Sequence, residues 1–78
     1  MKRDDYLVFL FPSVSHALKA EKILRTAGID HKLIPVPRHI SSDCGVCLRL
    51  APGQRDAVAK LLKGRVDWEA EAPLSPQG

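Results

Sequence analysis

The run YLVFLF, Tyr6 to Phe11, constrains this chain more than any other stretch. It is apolar at every position and rich in aromatic and β-branched side chains, with Arg3, Asp4 and Asp5 before it and Pro12 after it. A run this short and unbroken reads as a central strand. In 78 residues the strands that flank it must come from the same single domain, built on one small core.

The stretch PSVSHALKAEKILRTAG that follows reads as a helix. Ser13 or Ser15 caps its start, Arg25 sits in its last turn, and Gly28 ends it in the left-handed conformation. Ala17, Ala20, Ile23, Leu24 and Ala27 share one arc, with Lys19, Lys22 and Thr26 opposite, and the small alanines predict a helix lying close on a sheet. HKLIPV alternates with period two and predicts a second strand. VCLRL predicts a third, with Val46, Leu48 and Leu50 on one face and Cys47 and Arg49 on the other. PGQRDAVAKLLKG gives a second helix that buries Val58, Leu61 and Leu62 and stops at Gly64. RVDWE, Arg65 to Glu69, reads as the fourth strand, and AEAPLSPQG as a frayed tail.

This order predicts an α+β fold, the ferredoxin-like βαββαβ two-layer sandwich with a four-stranded antiparallel sheet, over residues 1–69, and a flexible tail over 70–78. Right-handed crossovers send the first two strands one way and the last two the other. The start of the first helix (Ser13 to His16), the loop from Pro35 to Gly45 and the turn Lys63 to Arg65 then gather at one end of the sheet. Helices cover one sheet face only, so Tyr6, Val8 and Leu10, or their alternates, are expected bare, and a bare strip predicts a homodimer through the open face.

Composition removes several function classes. The net charge of +3 is mild, and the twelve basic residues are scattered with no basic run and a single Trp and Tyr, which argues against a nucleic-acid reader. The apolar run from Tyr6 ends at Pro12 with no small-residue cleavage site, so a signal peptide is not expected, and nothing is long enough to span a membrane. The expected compartment is a reducing cytoplasm, where Cys-x-x-Cys is more often catalytic, redox or metal-binding than a structural staple.

Both cysteines end the stretch IPVPRHISSDCGVC. Pro35 and Pro37 stiffen its first half, and a long stiff connection between strands is a site candidate. Cys44 shares the loop with Arg38 and His39, cations that favour thiolate, with Ser41 and Ser42 as hydrogen-bond donors and with Gly45, which lets backbone N–H groups approach a sulfur anion. Asp43 opposes this. Cys47 falls inside a strand and reads first as a small buried hydrophobe, although a bend at Gly45 would let it act as a resolving thiol for Cys44. His16 reads as a partly buried neighbour of the helix cap. Zinc ligands could be collected on paper from Cys44, Cys47, His39 and His16 or His31, but a second closely spaced pair is missing, so no metal and no cofactor is expected.

Residues 7–68 resemble the selenium/sulfur carrier protein-like family. The resemblance rests on Ala17, Glu21, Lys22 and Gly28 and, more specifically, on the block Pro35, Val36, Pro37, Arg38, Ile40, Ser41, Ser42, Cys44 and Gly45. It implies that Cys44 holds sulfur or selenium as a persulfide or selenopersulfide, received from a donor protein and relayed to an acceptor, so that the chain is a carrier more than a turnover enzyme. Cys47 departs from the family pattern. A thiol–disulfide module using Cys44 and Cys47, and a non-catalytic dimeric binding domain, stand as the alternatives.

Overall fold

The structure is a computed structural model and describes residues 6–40 and 45–74. The chain runs β1 (Leu7–Leu10), α1 (Val14–Ala27), β2 (His31–Pro35), β3 (Val46–Leu50), a 3-10 turn (Pro52–Gln54), α2 (Arg55–Leu62) and β4 (Ala70–Pro73). The strands form one antiparallel sheet in the order β2-β3-β1-β4. That is the ferredoxin-like arrangement expected from the alternation of elements, with the apolar run in an inner position.

Local chemistry accounts for the helix limits. Ser13 is the cap of α1, its Oγ accepting the His16 N–H at 3.3 Å. Gly28 ends the helix at φ 75°, the left-handed conformation that glycine adopts without steric cost. Ala17, Ala20 and Leu24 face the sheet and are fully buried, and Ile23 packs at their margin. Ala27, expected on the same arc, is exposed in the last turn, next to the Gly28 cap. In α2, Val58 and Leu62 are buried and Leu61 packs beside them.

The fourth strand lies later than the sequence pattern suggests. After Gly64 (φ 79°) the chain stays tied to the end of α2, with the Arg65 and Val66 N–H groups both donating to the Leu62 carbonyl at 2.8 and 2.9 Å. Val66 and Trp68 are therefore drawn into the helix-side core, where the Trp68 ring tilts against Phe9 at 5.2 Å. Pairing with β1 begins only when the Glu69 N–H reaches the Leu10 carbonyl at 2.7 Å, and it continues to the Leu74 N–H on the Tyr6 carbonyl at 3.0 Å. Residues 70–74, expected as the start of a flexible tail, thus belong to the fold, and Pro73 is accommodated because β4 is an edge strand.

The sheet has apolar residues on both faces. Phe9, Phe11, Leu48 and Leu50 join the helices, while Val8, Leu10 and Cys47 form a smaller cluster on the open face. The open face is not the bare strip expected: Val8 is 0% and Leu10 4% exposed. Ile34, Val36 and Ile40 from β2 and its following loop, with Ala72 and Leu74 from the end of the chain, pack over them. The exposed strip on which a homodimer was expected is therefore covered by the chain itself, and covered in part by the candidate loop.

Candidate functional site

The loop after β2 is framed by its strands. Pro35 pairs with Val46, and the Val36 N–H donates to the Gly45 carbonyl at 3.2 Å, which carries the ladder one step beyond the strand ends. Pro37 to Ile40 then make a tight turn, closed by the Ile40 N–H on the Pro37 carbonyl at 3.0 Å. Val36 and Ile40 point back onto the open-face cluster, so the turn is held at both ends by apolar contact.

Within that frame Pro37 is half-buried, and Arg38 and His39 stand exposed at the turn. Ser41, Ser42 and Cys44 lie outside the described residues. Gly45 is exposed, its φ is outside the left-handed region, and a Cβ there would meet no atom within 4 Å. Steric need in the described surroundings therefore does not explain glycine at this position. Cys47 is fully buried against Val8 and Leu10, beneath the seats of Val36 and Ile40.

His16 is at the same end of the sheet but on the other side of it. Its Nδ1 lies 2.6 Å from Ser13 Oγ at the start of α1, in the capping position expected of it. Together with Lys19, Arg65 and Asp67 it borders a cavity of about 330 Å³ between α1 and the segment after α2. The described part of the loop packs on the opposite face. Proximity of the helix start to the loop, inferred from topology, thus holds for the end of the sheet and not for side-chain contact among the described residues. His31 is at the far end of β2, its Nδ1–H donating to the Ile29 carbonyl at 2.6 Å and its Nε2 facing Glu21 Oε2 at 2.9 Å. The three histidines are dispersed, and no three metal-ligating side chains converge among the described residues.

Two polar arrangements were not legible in the sequence. Arg55 at the start of α2 grips Glu71 of β4 with two hydrogen bonds of 2.8 and 2.9 Å, and Trp68 Nε1–H donates to the same carboxylate at 3.0 Å. The Arg55 hydrogen bond holds the Glu71 carboxyl below its ordinary range against the opposing effect of burial, and Glu71 in turn raises Arg55. On the open face, the Arg49 guanidinium carbon sits 4.2 Å above the Tyr6 ring. Strand alternation placed Arg49 on that face, but its lean toward β1 depends on the register Val8 opposite Arg49.

A family model described as "Putative Se/S carrier protein-like" matches residues 6–70. No curated protein and no solved structure matches the chain. The match spans β1 to β3, both helices and the loop, and ends at the first residue of β4.

Proposed function

Because the chain belongs to this selenium/sulfur carrier-like family, we propose that it carries sulfur or selenium on Cys44. The observation that carries the reading is the loop frame. With Ile40 seated on the sheet and Gly45 hydrogen-bonded through its carbonyl to Val36, the four residues between them span two fixed points. Cys44 is the last of those four. A donor that docks against these two anchors is held at the ends of the segment that carries Cys44, and holding the reactants together favours transfer.

The transfer balances as thiol exchange. The Cys44 thiolate attacks the terminal sulfur of a donor persulfide, the Cys44 S–S bond forms, the donor's S–S bond breaks, and the donor leaves as a thiolate. An acceptor nucleophile then takes the terminal atom and returns Cys44 as thiolate; with selenium the held group is a selenopersulfide. Arg38 and the hydroxyls of Ser41 and Ser42 stabilise the anionic sulfur, the Gly45 N–H adds a backbone donor, and His39 moves the proton. The exposure of Arg38 and His39 supports this assignment, since neither is committed to holding the fold.

Cys47 is 0% exposed within an apolar cluster, a setting that closes a thiol to outside reagents, and this supports a packing role for it. Cys47 is a packing residue in this account. Intact-mass measurement after incubation with a persulfide donor tests the reading: the mass of one sulfur is gained and the gain is lost in Cys44→Ala. Gain by Cys44→Ala at the unaltered rate would refute it.

A further inference from the structure

The open face carries a charge arrangement that sulfur exchange leaves unexplained. Lys32 of β2 stands directly opposite Arg49 of β3, and like charges opposed across a ladder are destabilising. Arg49 leans over the Tyr6 ring, and its Nε is buried with no acceptor among the described residues. The ring face offsets part of the guanidinium charge but offers this N–H no acceptor, so partial desolvation of the group is left uncompensated. Glu71 is the one carboxylate on the four strands, and it is turned to the helix side, where Arg55 and Trp68 hold it. Among the described residues, the open face therefore presents two cations beside the half-buried Tyr6 and no anion to answer them.

We propose that the open face is a docking surface for an acidic polypeptide segment, whose carboxylates neutralise Arg49 and Lys32 while its apolar atoms cover Tyr6 and its surroundings. A second copy of this chain is the poorer occupant, because a face-to-face dimer adds two more cations while its strand carboxylate, Glu71, faces the helices. The surface adjoins the loop: Arg49 is two residues from Cys47, about 7 Å along β3, and Val36 and Ile40 rest on the same face. A segment docked there lies beside the loop that bears Cys44. The inference deepens the carrier reading and rests on it only in identifying the docked protein as an exchange partner.

The test titrates ¹⁵N-labelled protein with acetylated hexaglutamate at low ionic strength, with hexaglutamine and acetate at equal carboxylate concentration as controls. The expected result is a saturable shift of the Arg49 Nε–H and the Lys32 amide by hexaglutamate alone. Arg49→Gln weakens binding by about tenfold, the loss of one charge-assisted hydrogen bond. Lys32→Gln, an exposed change that leaves packing intact, weakens it severalfold. Arg65→Gln removes the same charge on the helix side and changes affinity by less than about twofold. Shifts centred elsewhere, equal affinity in the Arg49 and Lys32 variants, or an equal response to acetate overturn the proposal. So does a free protein that sediments as a dimer with this face protected. Persulfide loading of the unaltered protein by a small-molecule donor is read on the same sample, so loading without peptide binding refutes the docking surface alone.

Discussion

Truncating Ile40 to alanine loosens the loop without unfolding the domain. Ile40 is half-buried and packs on the Val8, Leu10 and Cys47 cluster. Removing three carbons at about 0.8 kcal/mol each for full burial, halved for the exposed side, lowers the closing free energy of the loop by about 1.2 kcal/mol. The core beneath the helices contains no atom of Ile40, so the loss falls on a local opening in which Cys47 is uncovered. On a Cys44→Ser background Cys47 remains as the sole thiol, and its alkylation by a slow reagent reports the open fraction directly. The labelling rate should rise about eightfold in Ile40→Ala, the factor that corresponds to that free energy. Urea unfolding of the same variant separates local from global loss. An unchanged labelling rate, or a rise fully accounted for by lower global stability, refutes the loop as the cover over Cys47.

Three further outcomes are expected. Gly45→Ala leaves the thermal midpoint within about 2 °C, since its φ is ordinary and its Cβ meets nothing; sulfur loading slows, which mass spectrometry followed over time reads as loss of close backbone approach to Cys44. Gly28→Ala costs about 1 kcal/mol because φ 75° strains any Cβ, seen as a lower urea midpoint with unchanged loading. Glu71→Gln costs about 1 kcal/mol by releasing β4 from Arg55. Since the folded carboxyl titrates below its ordinary value of 4.5, that contribution is present above 4.5 and is lost as pH falls through the lower folded value, so the unaltered protein should lose stability in that window more steeply than the variant.

The fold was legible because its elements are punctuated by residues with one mechanical use each. Ser13 and Gly28 bound α1 as capping chemistry requires, and the alternation of VCLRL delivered the faces of β3 residue by residue. β4 was misplaced because RVDWE carries a β-branched and an aromatic residue, whereas Ala70–Pro73 looks like tail. What sets that strand is tertiary: hydrogen bonds to the end of α2, Trp68 on Phe9, and the Arg55 grip on Glu71. The connection after β2 was legible as a long loop with prolines at its start, and the covered open face was not. Val36 and Ile40 stand as isolated apolar residues in a polar stretch, and nothing local tells which face of the sheet they will meet.

The central claim is that one thiol carries the atom and the other packs the fold. Intact-mass spectrometry of the reduced protein after incubation with a persulfide donor, alongside Cys44→Ser and Cys47→Ala, tests it most directly. Alanine is used at Cys47 because the site is apolar and closed. The account predicts a gain of one sulfur that is absent in Cys44→Ser and retained in Cys47→Ala. A loss of two hydrogens that requires both thiols, or a sulfur gain that persists without Cys44, would contradict it.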